Sequence, residues 1–153
     1  MEKQDIVKQL IDQLEEKLMV MAQAAQETHE ASTGSENAAE GKYDTRGLEA
    51  SYLANAQAEQ VKVMQSQLDS LKSVTLEKFE LGEPIDIGAL VELDREEELE
   101  YFLLLPSAGG LTLPFRDSTL TTIAPESALF QQLFHRGLGD MIEPGEMLIL
   151  GIS

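Results

Sequence analysis

The residues best placed to do chemistry are carboxylates in one short segment. Residues 33–48 hold Glu36, Glu40 and Asp44, and Glu49 lies just beyond them. A hard cation such as Mg²⁺ prefers several oxygen ligands in octahedral geometry, so a lone carboxylate on a mobile segment cannot hold it tightly. Such a carboxylate could complete a metal site that a partner already provides. The alternative is that these acids are ordinary solvated residues at helix ends.

Other residue types offer no competing site. The chain has no Cys, which excludes thiolate metal sites and Cys nucleophiles. His29 and His135 lie in different halves and belong to no H-E-x-x-H pattern. Ser127 is not in a G-x-S-x-G motif, and Gly109-Gly110 is typical of a turn. We therefore expect a chain that is not an enzyme, with no metal or cofactor of its own.

The charge of the chain restricts its partners. Eleven Lys and Arg against 28 Asp and Glu give a net charge of −17, which disfavours direct binding to nucleic acid or to an anionic membrane. It favours a basic partner surface. No apolar run approaches the roughly 20 residues that span a bilayer. The charged start, MEKQDIVKQL, is not followed by an apolar signal region, so we expect a cytoplasmic protein.

Two helices must position the acidic segment. Residues 1–75 contain no proline, and two stripes of apolar residues in this region follow the 4,3 spacing of a coiled-coil seam. The stripes are Val7, Ile11, Leu14, Leu18, Met21 and Ala25, and then Ala50, Ala54, Gln57, Val61, Met64, Leu68 and Leu71. The spacing predicts an antiparallel coiled-coil hairpin over 1–75, with arms of about 45 Å. We expect a monomer, with dimerisation through the less regular second stripe as an alternative.

Two turns could form the tip of this hairpin. Thr33-Gly34-Ser35-Glu36 has the spacing of a capping box. Asp44-Thr45-Arg46-Gly47 could equally cap a helix that begins a turn later. Either turn places the tip within residues 33–48.

The rest of the chain predicts a small sheet with one helix. Glycine and proline become common near residue 84, so 76–84 is interpreted as a linker and 85–153 as a second domain. Proline at the first turn and Gly137 at the C′ position predict a helix over 125–136. The whole chain is then α+β. The predicted strands are 85–93, 99–105, 111–115, 120–123 and 147–152.

Several motifs resemble those of the GreA/GreB family of bacterial transcript-cleavage factors, as a divergent and uncharacterised branch. Residues 87–91, Ile-Gly-Ala-Leu-Val, resemble the family's Phe-Gly-Ala-x-Val strand. Residues 123–129, then Leu133, then Gly139-Asp140, resemble the end of the family's second domain, which is FKBP-like. Phe130 and His135 stand where the family has glycine. The order of parts, hairpin then sheet domain, also agrees.

The tip motif of the family matches this chain in two ways. The family reads Gly-Asp-x-Ser-Glu-Asn-Ala-Glu-Tyr, with Asp and Glu as its functional acids. Residues 35–38, Ser-Glu-Asn-Ala, reproduce the core of this motif, but no Asp stands just before them. Asp44 and Glu49, within residues 43–52, resemble the same motif with an extra residue.

The resemblance implies a transcription elongation factor that binds RNA polymerase. It implies docking of the FKBP-like domain at the rim of the secondary channel and insertion of the hairpin, whose tip acids help hold a Mg²⁺ shared with the polymerase. That metal would promote cleavage of backtracked RNA. The implied tip acids are Asp44, Glu49, Glu36 and Glu40, and the implied docking residues are Ser127, Leu129, Leu133, Gly139 and Asp140. Two alternatives are a channel-binding regulator that does not stimulate cleavage and a coiled-coil adaptor for another partner.

Overall fold

The computed structural model describes residues 3–33, 46–143 and 145–153, with side chains described outside 31–33 and 46–51. It has an N-terminal helical hairpin followed by a mixed six-stranded sheet and a small helix, which confirms the predicted α+β class. In chain order the elements are α1 Lys3–Thr33, α2 Arg46–Ser73, β1 Leu90–Arg95, β2 Glu98–Leu104, β3 Thr112–Phe115, β4 Ser118–Ile123, α3 Ala128–Leu133, β5 Met141–Ile142 and β6 Met147–Ile152.

The chain forms two compact units. One contains Ile11–Asp69, and the other contains Met1–Leu10 together with Ser70–Ser153. The boundaries predicted at 75 and 84 rest on a change in amino-acid composition, whereas these two units are defined by which residues contact each other. The predicted domain ranges 1–75, 76–84 and 85–153 therefore stay a prediction.

Within the unit Ile11–Asp69, the predicted seam is the least exposed stripe of each helix. Leu14, Ala54 and Leu68 are buried. The other seam positions with described side chains are partly buried, while the residues between them are mostly exposed; they are Ile11, Leu18, Met21 and Ala25 on α1, and Gln57, Val61 and Met64 on α2. The side chain of Ala50, the first position of the second stripe, lies outside the described residues. Because each helix of a pair has one neighbour, only this narrow stripe is covered. The burial pattern confirms the 4,3 spacing.

The first turns of α1 belong to the sheet-containing unit and are buried over a wider face. Ile6, Val7 and Leu10 are all buried, although only Val7 was on the predicted seam. A helix that packs into a larger core covers a broader apolar face than one with a single neighbour. This difference explains why a strict seam missed two of the most buried residues in the chain.

The sheet has the strand order β3-β4-β2-β1-β6-β5. Strands β2 and β4 pair in parallel, with Tyr101 opposite Leu120, and the remaining neighbours are antiparallel. Both edges are short. Strand β3 has four residues including Pro114, and β5 has two. Short edges and proline limit pairing with another chain, since proline offers no backbone donor.

Both faces of the sheet carry buried side chains. Strand β1 alternates, with Val91 and Leu93 in the core that also holds Phe130 and Leu133 of α3. On the opposite face Tyr101 contacts Phe115 edge-on, with the ring centroids 4.9 Å apart. Because both faces of the sheet are covered, a strand such as β2 has an almost continuous run of apolar residues, here 101–105.

Among the described residues, Thr122 is the one polar residue that is buried, and its hydroxyl both donates and accepts a hydrogen bond. Its Oγ1 donates to the Ala108 carbonyl oxygen at 2.6 Å and accepts from the Leu111 N–H at 3.0 Å. These bonds fix the turn before β3, because buried polar groups are stable only when they are paired.

Some predicted boundaries were wrong for identifiable reasons. The strand predicted over 85–93 begins only at Leu90, because Gly88 has φ +92° and the Ala89 N–H donates to the Asp86 carbonyl in a turn. The helix predicted over 125–136 is Ala128–Leu133, with Phe134 as its C-cap. The residue with positive φ after this helix is His135, not Gly137. Strand β5 was not predicted.

Candidate functional site

The acids implied to act at the hairpin tip have no described side-chain geometry. Glu36, Glu40 and Asp44 lie outside the described residues. Glu49 lies in α2, and its side chain is outside the described part. Their roles therefore stay a prediction, and so does the choice between the two possible turns.

Ser127, an implied docking residue, is the N-cap of α3. It has extended backbone angles, φ −74° and ψ 135°, and its side chain accepts from the Phe130 N–H at 3.5 Å. The Ser127 N–H donates to the Ala124 carbonyl at 2.8 Å, and the Gln131 side chain donates to the Pro125 carbonyl at 3.1 Å. The segment 124–127 is thus held in one conformation by local hydrogen bonds. This geometry is typical of a serine N-cap.

The two implied docking leucines face inward. Leu133 is fully buried among the core residues of the sheet, and Leu129 is partly buried against the same core. Leu133 therefore has no surface to offer a partner. Leu133 packs α3 onto the sheet, and its role in docking stays a prediction.

Gly139 and Asp140 form a hydrogen-bonded turn beyond the other end of α3. One carboxylate oxygen of Asp140 accepts from the Gly137 N–H at 2.8 Å, and Gly139 has φ +85°. The backbone of both residues pairs with Ile149 of β6, at 2.9 Å in each case. A left-handed residue is needed here and glycine adopts it without steric cost. The turn therefore fixes an exposed carboxylate at the sheet margin.

The implied docking residues fall into two segments rather than one cluster. Ser127 precedes α3 and Gly139-Asp140 follow it, and the six residues of α3 span about 9 Å. Both segments are acidic and exposed, since Glu126 and Asp140 are exposed. A partner that contacts both segments would need basic groups on a surface about as wide as this helix.

The side chain of Lys3 bonds to three backbone carbonyls in the sheet-containing unit, and the sequence did not predict these contacts. Its ammonium donates to the carbonyl oxygens of Glu77, Gly88 at 2.8 Å and Ser153 at 3.1 Å, and it lies 4.9 Å from the centre of the Phe79 ring. Burial lowers the pKa of Lys3 below its ordinary value of 10.5, and the negative charge of Glu77 partly opposes this. No local sequence signal marks Lys3, because its partners lie 74 to 150 residues away.

The described residues contain no group of three or more His, Cys, Asp or Glu placed to hold a metal ion. Over the same part of the chain, none of the helices combines the length and the apolar character that a membrane span requires.

Comparisons with known proteins found similar solved structures. The GreA factor homolog 1 (Gfh1) of Thermus thermophilus is 22% identical, with a TM-score of 0.39, and the match covers 98% of this chain and 94% of that one. Gfh1 of Thermus aquaticus is 20% identical, with a TM-score of 0.38 and coverage of 97% and 92%. A structure of the transcription factor Gfh1 is 22% identical, with a TM-score of 0.37 and coverage of 98% and 92%.

No protein-family model and no curated protein matches the chain.

Proposed function

We propose that this chain is a Gre-like transcription factor that binds RNA polymerase. The observation that carries the proposal is the order of parts: two long helices with matching seams, followed by a sheet unit in which the family-like segments form defined turns. Ser127 caps α3, and Gly139 and Asp140 form the turn after it. These are the places at which the resemblance implies docking.

In the proposed mechanism the chain does not catalyse a reaction by itself and acts only together with the polymerase. The polymerase would supply most of the oxygen ligands, and the acids Glu36, Glu40, Asp44 and Glu49 would complete the coordination of a shared Mg²⁺, which when bound would supply an activated water for cleavage of backtracked RNA. The surplus of acids over bases favours a basic docking surface on the partner and makes the association rate depend on salt.

The test is transcript cleavage by a stalled, backtracked polymerase with and without the chain. Isosteric neutral variants separate charge from shape: Glu36→Gln, Glu40→Gln, Asp44→Asn and Glu49→Gln. We expect loss of a metal-binding acid to slow cleavage by roughly tenfold or more, as removal of groups that support a metal site does elsewhere. Glu16→Gln, an exposed acid on α1, is the matched control and should leave the rate unchanged. No binding to core polymerase at low salt would refute the proposal.

A second candidate is a regulator that occupies the polymerase channel without stimulating cleavage. The observation that favours it is the absence of an Asp directly before Ser35-Glu36-Asn37-Ala38. This candidate predicts binding to polymerase and slower nucleotide addition, with no increase in cleavage in any tip variant. If the chain captures another basic protein and no polymerase, the adaptor alternative is correct.

A further inference from the structure

The segment between α2 and β1 lines an open cavity of about 390 Å³. Its apolar wall consists of Phe79, Pro84 and Ile87. All three residues lie in the sheet-containing unit, and Ile87 is 42% exposed. The cavity therefore presents apolar surface to solvent on a segment that is neither helix nor strand.

The rest of the lining is polar and consists of Thr75, Glu77, Lys78, Glu83 and Asp86. Glu83 and Asp86 each use one oxygen locally: the Glu80 N–H donates to Glu83 Oε2, and the Ile87 N–H donates to Asp86 Oδ1, both at 2.7 Å. Each carboxylate keeps a second oxygen that forms no hydrogen bond or ion pair with the described residues. The two acids are therefore fixed in place and remain free to accept from a ligand.

The other charges on the cavity do not neutralise these two acids. The backbone and charge of Glu77 are already engaged by Lys3. Lys78 also lines the cavity, yet within the described chain it lies in no ion pair with Glu83 or Asp86. Three acids, Glu77, Glu83 and Asp86, stand against the two bases Lys78 and Lys3, whose ammonium lies 4.9 Å from the centre of the Phe79 ring. A small excess of negative charge therefore remains beside the apolar wall.

An exposed leucine adjoins the cavity along the chain. Leu81 is 91% exposed, on a turn closed by a 3.1 Å hydrogen bond from the Glu83 N–H to the Glu80 carbonyl. An apolar side chain held outward next to an apolar and acidic cavity fits contact with a macromolecule better than contact with a free ion.

We propose that this cavity is a docking site for an arginine side chain carried by a segment of a partner protein. A guanidinium is flat enough to lie along Pro84 and Ile87, away from the Lys3 ammonium that lies 4.9 Å from the centre of the Phe79 ring, while its donors reach the free oxygens of Glu83 and Asp86. A hydrated metal ion would leave the apolar wall unused, and an anion would be repelled. The inference does not depend on the proposed function, since any basic protein partner could supply the arginine.

The test is an NMR titration of the full chain with N-acetyl-arginine amide. We expect saturable shifts of the backbone amides of Lys78, Phe79, Gly82 and Ile87, with a Kd of roughly 1–20 mM, because a single small group gains little beyond two solvated ion pairs. N-acetyl-citrulline amide is nearly isosteric and uncharged, and should bind at least fivefold more weakly. N-acetyl-arginine, with its free carboxylate, should also bind more weakly if the site accepts a peptide segment.

The variants Glu83→Gln and Asp86→Asn keep an oxygen for the local backbone bonds, so the segment should stay folded. Each is expected to weaken arginine binding at least threefold. Glu96→Gln, an exposed acid in the β1–β2 turn, is the matched control and should change nothing. Equal shifts with the citrulline compound, shifts spread evenly over all acidic surfaces, or unchanged binding in both cavity variants would overturn the proposal.

Discussion

The Lys3→Met substitution tests whether one side chain ties three distant segments together. Methionine keeps the length and apolar character of the lysine stem and removes the ammonium. The change abolishes the hydrogen bonds to the Glu77, Gly88 and Ser153 carbonyls and the contact with the Phe79 ring. We expect the free energy of unfolding to fall by about 1–2 kcal/mol.

The expected loss of about 1–2 kcal/mol is estimated from how exposed each hydrogen bond of the Lys3 ammonium is. The bond to the Gly88 carbonyl is part-buried, and a bond from a charged donor contributes about 1.5–3 kcal/mol where water cannot replace it. The bonds to Glu77 and Ser153 are exposed, so water largely replaces them. The cation–π contact adds about 0.5–1 kcal/mol at such a site. Desolvation of the ammonium, which lowers its pKa, offsets part of this sum.

The assay is urea unfolding of the wild type and the variant, repeated as the pH rises. Because the folded-state pKa of Lys3 lies below 10.5, the unfolded chain binds more protons between those two values. The stability of the wild type should therefore increase relative to Lys3→Met as the pH rises toward 10.5, since the neutral amine still donates to the carbonyls. Other groups titrate alike in both proteins and cancel.

Two results would refute this reasoning. A stability difference that shrinks as the pH rises would mean that the carbonyls favour the ammonium more than burial disfavours it. A loss no larger than that of Lys8→Met would mean that the contacts of Lys3 contribute nothing. Lys8 is exposed on the same helix, and its substitution should change stability by less than about 0.5 kcal/mol.

Three further substitutions probe the fold, each measured by urea unfolding. Thr122→Val leaves a buried acceptor and a buried donor unpaired and should cost about 2–4 kcal/mol, whereas Thr122→Ser should cost less than half as much. Leu14→Ala should cost about 2–4 kcal/mol because Leu14 is buried in the helical seam, while Met19→Ala, at an exposed position, should be nearly neutral. Phe130→Gly should cost at least about 4 kcal/mol, and a smaller loss would show that the α3 core is loosely packed.

The helical seam could be predicted because it depends on local periodicity. Residues such as Leu14, Leu18 and Met21 repeat at a spacing that only a paired helix buries, so the pattern determines both the element and its covered face. The sheet strands were found for a similar reason, since 99–105 and 147–152 are apolar runs of strand length. Strand β6 has the predicted ends, β2 is displaced by one residue at each end, and β1 begins five residues later than predicted.

The remaining features depend on long-range contacts and on turn conformations that no local sequence pattern predicts. Lys3 bonds to Ser153 across 150 positions, and no spacing rule joins them. Gly88 ends the predicted strand early because its positive φ serves a turn, while the apolar residues around it continue a strand-like pattern. Strand β5 has two residues, too few to show periodicity. The cavity beside Phe79 lies in a segment interpreted only as a linker.

Phe130 and His135 stand where the GreA/GreB family, which this chain resembles, has glycine, and the structure gives each a definite place. Phe130 is buried in the core between α3 and the sheet. His135 takes a left-handed backbone, with φ +67°, and its N–H donates to the Ile85 carbonyl at 2.8 Å.

Histidine tolerates this conformation better than branched residues, and its ring stacks on Phe134 with the centroids 3.9 Å apart. Both residues therefore lie on the inner side and at the end of α3. Ser127 caps the helix, and the Asp140 carboxylate accepts from the Gly137 N–H. If docking at these segments fails, the reason must lie in their exposed side chains rather than in a distorted helix, and Asp140→Asn, which keeps the turn while removing the charge, is the substitution that separates the two explanations.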